Sequence, residues 1–139
     1  MKIWRKTFLF YLGGMLYCGL ELLWRGRTHG SMFLLGGVCF LILGQIGSFQ
    51  RPLATRALLG GLAITAGELL VGLWVNRSFE VWDYRNQKLN LGGQICPLYT
   101  FLWMLLSPAG WLLYRAAHKC LPGTETCKLE FVGQLDAAS

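Results

Sequence analysis

Four apolar runs of similar length, parted by short polar stretches, constrain this chain more than any other feature. They cover Thr7 to Trp24, Ser31 to Phe49, Ala57 to Val75 and Leu91 to Tyr114. Each is close to the ~20 residues an α-helix needs to cross ~30 Å of hydrocarbon. No polar stripe runs along them at helical spacing, as the surface helices of a soluble domain would require. Composition agrees, since only 14% of the 139 residues are charged, against about a quarter in soluble domains. The expected fold is all-α: a polytopic membrane protein with about four transmembrane helices in residues 1–120. A polar tail over 121–139 follows and is expected to be disordered. Its last dozen residues match the rest poorly and are set aside as a remnant of cloning.

The basic start, with Lys2, Arg5 and Lys6, resembles that of a signal peptide. The run after it is too long for one, and Leu-Trp-Arg-Gly-Arg offers no small-residue cleavage site, so a retained span is favoured. With the N-terminus inside, the inner segments hold Lys2, Arg5, Lys6, Arg51, Arg56, Arg115 and Lys119. The outer ones hold Arg25, Arg27, Arg77, Arg85 and Lys88. This bias predicts both termini in the cytoplasm. It also accounts for the net charge of +6 through topology and anionic lipid headgroups, so no nucleic-acid partner is expected.

Short connections make neighbouring helices antiparallel. The exception is the polar and aromatic stretch Asn76 to Asn90, whose Trp82 and Tyr84 suit the headgroup zone. Pro97 and Pro108 predict bends in the fourth run. Shifting the chain by 47 places Leu12-Gly13-Gly14 over Leu59-Gly60-Gly61 and Glu21-Leu22-Leu23 over Glu68-Leu69-Leu70, the pattern of a duplicated helical hairpin. Abundant Gly and Leu could also produce it by chance.

Two carboxylates lie inside apolar runs. Glu68 is nine residues before Arg77, about 13 Å below the end of its helix. A charged acid at that depth costs at least ~2.5 kcal/mol, so a cation, a proton or a hydrogen-bond donor must offset it. Glu21, four residues before Arg25, either pairs with it at the membrane edge or shares a polar cavity with Glu68. Small residues at four-residue spacing, Ala57 with Gly61, Ala63 with Gly67 and Gly44 with Ser48, let backbones approach closely in lipid. They predict that the third helix, with Gly60, Gly61 and Gly67, is the centre of the bundle.

The segment from Glu80 to Pro97 carries its polar residues straight into the fourth run through Asn90, Gly92, Gly93 and Gln94. A Gly-Gly pair at a helix entrance leaves N–H groups free to cradle an anion or seat a re-entrant turn. An interfacial loop anchored by Trp82 and Tyr84 reads equally well. The five cysteines, Cys18, Cys39, Cys96, Cys120 and Cys127, have neither the spacing of a disulfide framework nor that of a zinc site, so no metal and no cofactor is expected. No nucleotide-binding P-loop and no hydrolase motif is present, and His29 and His118 lie near opposite membrane faces. No catalytic residue is assigned. A lipid enzyme using Asp83 and Glu68 as acid and base would lack a nucleophile.

Gly19-Leu-Glu-Leu-Leu-Trp-Arg with Gly36-Gly37, Val81-Trp-Asp-Tyr-Arg-Asn, and Leu89-Asn-Leu-Gly-Gly-Gln-Ile-Cys-Pro-Leu-Tyr-Thr together resemble the CmpB-like family of ABC-transporter type IV integral membrane proteins, over about residues 8–115. The resemblance implies a helical, permease-like protein of the bacterial inner membrane, from a Firmicute-like source, and a separate ATPase subunit as candidate partner. Glu21, Arg25, Glu68, Trp82, Asp83, Tyr84, Asn90, Gly93 and Cys96 match its pattern. Family members more often carry a small or hydroxyl residue where this chain has Arg85, a charge that would neutralise Asp83.

These readings lead to a transporter or channel component, a homo-oligomer that moves a small solute or ion past Glu68. Glu21, Trp82, Asp83, Tyr84, Asn90 and Gln94 are the further binding candidates, and the glycines, including Gly92 and Gly93, are packing residues. The alternative is a non-transporting membrane scaffold, regulator or holin-like pore former. Everything functional depends on Glu68 being reachable: tied off by a hydroxyl in a dry interior, it would no longer support transport.

Overall fold

The computed structural model describes residues 2–122; the expected tail, with Cys127, lies outside the described residues except for its first two positions. Four α-helices follow one another: α1 (Ile3–Arg25), α2 (Gly30–Gly47), α3 (Leu53–Val75) and α4 (Pro97–Cys120). Strands are absent among the described residues, apart from one isolated bridge between Leu91 and Ile95. Three of the helices, α1 to α3, are long and apolar enough to cross a membrane. α4 is as long but more polar, through its Tyr, Ser, Pro and terminal basic residues.

Local chemistry sets the boundaries. α1 ends at Gly26, whose left-handed backbone (φ 71°) returns its N–H to the Leu22 carbonyl. α2 starts at His29, whose ring nitrogen accepts from the Ser31 N–H. α4 starts at Pro97, not at Leu91 as the apolar run suggests, because proline suits the first helical position and its missing N–H costs nothing there. Pro97 therefore starts the helix and does not bend it. Pro108 does lie inside α4, which continues through it to Cys120. Beside it, the Ser107 hydroxyl donates to the Trp103 carbonyl at 2.7 Å.

The packing corrects one expectation. α2 touches all three other helices, whereas α3 packs on α2 and α4 and makes no direct backbone approach to α1. Over half of α2 (56%) is buried, against 28% of the 18-residue apolar stretch of α1 and of α3. α2 is therefore the centre of the bundle. The α1–α2 seam is set by two glycines: a methyl group on Gly13 would overlap Phe40 and the Gly36 carbonyl, and one on Gly36 would overlap Tyr17 and the Gly13 carbonyl. The small-residue rule held, but at a seam where only Gly brings the backbones together. Gly60 and Gly61, which the 47-residue shift aligns with Gly13 and Gly14, lie on the corresponding seam of the second hairpin, against Ser107 and Met104 of α4. Gly67 faces Leu35 of α2. Hydroxyls of Thr65 and Thr100, 2.9 Å apart, join α3 to α4.

The remaining surface is apolar around the bundle, with Trp4, Phe8, Met15, Leu62, Leu70, Phe101 and Leu105 among the exposed side chains. In water such a surface would drive association; in lipid it is the solvated face. Charge divides by end. The end carrying the start of α1 and the end of α4 holds Lys2, Arg5, Lys6, Arg51, Arg56, Arg115 and Lys119, while the described acids, Glu21, Glu68, Glu80 and Asp83, lie in the other half with Arg25, Arg27, Arg77, Arg85 and Lys88. Arg5 and Arg56 are turned inward: Arg5 donates to the Leu121 carbonyl, and Arg56 donates to the Gly47 carbonyl and covers the Trp111 ring at 5.0 Å.

Candidate functional site

The loop between α3 and α4 is folded back into the bundle. Asn76, fully buried at the end of α3, organises it. Its side-chain amide donates to the Trp82 carbonyl (2.6 Å) and to Gln94 Oε1 (3.0 Å). Its Oδ1 accepts from the Val81 and Trp82 N–H groups. Gln94 returns a bond to the Asn76 carbonyl, and the Trp82 indole N–H donates to the Gln94 carbonyl at 2.8 Å. Trp82 (2% exposed) and Tyr84 (3%) are thus core residues, not headgroup anchors. Asn90 stitches the same loop, donating to the Arg85 and Gln87 carbonyls and accepting from Gly93 N–H. The Gly92–Gly93 pair, with φ of 57° and 68°, forms a turn ahead of α4. With Gly93 N–H bonded to Asn90, the pair is not the open anion cradle at a helix start that the sequence allowed.

Below this loop lies a buried polar layer. Arg25 pairs with Glu21 at 3.1 Å and donates to the Tyr84 hydroxyl (3.1 Å) and the Val81 carbonyl (3.3 Å). Glu21 is therefore both paired with Arg25 and buried, at 5% exposure. Burial pushes the Tyr84 phenol well above its ordinary range; the nearby Glu68 carboxylate acts in the same direction and Arg25 in the opposite one. Tyr84 stacks on Tyr99 at 4.4 Å, and the Tyr99 hydroxyl accepts from the Trp24 indole.

Deeper still, Glu68 on α3 is 2% exposed and accepts the Tyr17 hydroxyl of α1 at 2.9 Å. The buried indole N–H of Trp103 has no partner at hydrogen-bonding geometry and faces the same carboxyl. Tyr17 and Trp103 stack on one another at 5.4 Å. No cationic side chain forms an ion pair with Glu68 among the described residues. Asp83 does not join the layer. It lies at the surface, held by the Arg85 guanidinium at 2.7–3.0 Å, and that pairing keeps its carboxyl below the usual range.

α1 and α4 barely meet, and the gap between them is an apolar cleft in two adjoining parts, of about 370 and 390 Å³. Leu20, Leu23, Trp103 and Leu106 line both parts; Glu21 and Arg25 close the first, and Tyr17 and Cys39 line the second. Glu68 lines neither, because the Tyr17–Trp103 stack stands before it. The hydroxyl bond and the closed position foreseen as adverse to transport are thus both present. Sequence reading missed Asn76, Tyr17 and Trp103. A lone Asn where an apolar run ends was a usable signal for Asn76, but nothing in the pattern marked the two aromatic residues.

This is an α-helical bundle with an apolar outer surface and a buried acid layer, the build of an integral membrane protein. The chain belongs to the family described as "Putative ABC-transporter type IV", whose model matches residues 8–123. No curated protein and no solved structure matches it.

Proposed function

We propose that this chain is the membrane-embedded component of a transporter in the bacterial cytoplasmic membrane, with four spans and both ends inside, and that a small solute or ion passes Glu68. One observation carries the reading: a fully enclosed carboxyl outside any ion pair stands behind an aromatic pair that walls a lateral cleft, so passage past it requires that the Tyr17 bond and the stack open. Intramembrane acids are costly and mark substrate or proton pathways. The cleft opens sideways between α1 and α4, so a second copy would close it, which favours a homo-oligomer. The matched glycine seams of the two hairpins favour an internal duplication. An ATPase, if one serves this chain, is a separate subunit, and the α2–α3 connection around Arg51 is its candidate contact.

The test is flux in proteoliposomes. Wild type should carry solute-dependent flux, and Glu68→Gln, which keeps an acceptor for the Tyr17 hydroxyl, should reduce it at least tenfold. Equal, solute-independent leak in both would sink the reading. The Tyr17 bond and the closed position of Glu68 favour a second reading, a non-transporting scaffold, regulator or holin-like pore former. There Glu68→Gln would alter oligomer mass or thermal stability, with no solute flux to lose.

A further inference from the structure

We infer that the α1–α4 cleft binds organic monocations whose charge is shielded by apolar groups, such as alkylated or arylated ammonium and phosphonium ions, with Glu68 as counter-charge; this rests on the transporter reading above. The charge balance of the layer comes first. Glu21 and Glu68 face one buried cation, Arg25, whose guanidinium is already committed to Glu21, Tyr84 and the Val81 carbonyl. With both acids ionised the layer holds one negative charge in excess, and an unpaired buried charge is relieved either by a proton or by a cation. Arg27 lies further out, beyond the end of α1, and is exposed.

The walls then select the kind of cation. A hydrated metal ion needs several oxygen, nitrogen or sulfur ligands, and no three His, Cys, Asp or Glu side chains converge among the described residues. The cleft offers ring faces and aliphatic side chains. Trp103 lines both of its parts, Tyr17, Trp24, Phe40 and Tyr99 line one each, and leucines are the largest share of the rest, beside the paired Glu21 and Arg25. Aromatic faces attract cations, most strongly where water is excluded, and apolar walls favour cations that shed water readily. An anion would meet the same rings and the same excess negative charge, and is disfavoured. Trp103 touches both sides of the arrangement, since its ring walls the cleft and its unpartnered N–H faces Glu68. A cation resting on this ring is therefore one side chain away from the carboxyl.

Tetraphenylphosphonium and tetraphenylborate, nearly equal in size and opposite in charge, test the assignment. Full-length protein in lipid nanodiscs should bind radiolabelled tetraphenylphosphonium saturably, above empty nanodiscs, with quenching of Trp fluorescence, and should not bind the borate. Glu68→Gln should weaken binding about tenfold, and so should Trp103→Leu, which leaves both acids in place and serves if the first variant fails to fold. Absence of saturable binding, equal binding of both ions, or unchanged affinity in a folded variant would overturn the inference. Glu68-dependent flux of another solute alongside absent phosphonium binding would remove the ligand class and leave the transporter reading standing. Absence of both would remove the two together.

Discussion

Asn76 makes four side-chain hydrogen bonds without any exposure, and its carbonyl accepts a further one from Gln94. Replacing it with Ala would strand two backbone N–H groups and two acceptors. We expect Asn76→Ala to cost about 2–4 kcal/mol, read as a lower thermal midpoint and a red-shifted Trp82 emission. Asp83 gives the opposite case. Its folded pKa is depressed by Arg85, so the pair's contribution is present above the unfolded carboxylate range, near pH ~4, and fades as pH falls through the folded value. The pair is exposed, so salt should weaken it as acid does. Asp83→Asn should abolish the acid-dependent loosening of the loop seen by hydrogen exchange, with little change at neutral pH.

The existence of four helices was legible from hydrophobic run lengths, because lipid demands that each span satisfy its own backbone. The ends were less so. Hydropathy carried the fourth run back to Leu91, whereas the chain turns at Gly92–Gly93 and begins α4 at Pro97. An apolar run cannot tell a helix from a buried turn. Trp82 and Tyr84 were misplaced for a related reason, since an amphipathic ring suits a headgroup layer and a polar-lined core equally well, and only the Asn76 network decides. Glu21 and Glu68 stood out by the cost of burial alone, and Arg25 was legible four residues after Glu21, but the neighbours of Glu68, Tyr17 and Trp103, come from other helices, beyond the reach of local pattern. The central helix is likewise a property of contacts, not of spacing. Gly36→Leu should therefore disrupt the α1–α2 seam at a cost of about 2–3 kcal/mol, measurable as lost resistance to unfolding in detergent. Gly19→Leu, at a position with open space around it, should be tolerated.

At the scale of the whole molecule, the strongest packing lies within the hairpins α1–α2 and α3–α4, with α2 also joined to the second hairpin. α1 reaches α3 through the Tyr17–Glu68 bond instead of backbone contact, and reaches the α3–α4 loop and α4 through Arg25, Trp24 and Tyr17. The proposed orientation has a direct check. Cys120 is exposed at one end, and a cysteine placed at Lys88 would sit in the loop at the other. An impermeant maleimide should label Lys88→Cys in intact cells and reach Cys120 only after lysis; labelling of Cys120 in intact cells would reverse the topology.

The division of charge between the two ends also bears on any reconstituted preparation. A native membrane with an anionic cytoplasmic leaflet would hold at that face the seven basic residues of the end that carries the start of α1. Vesicles of neutral, symmetric lipid impose no such preference, and half the molecules would then be inserted backwards. A vectorial process would partly cancel between the two populations and read as weak. Asymmetric or cardiolipin-bearing vesicles should restore a single sense of insertion and, with it, the net movement.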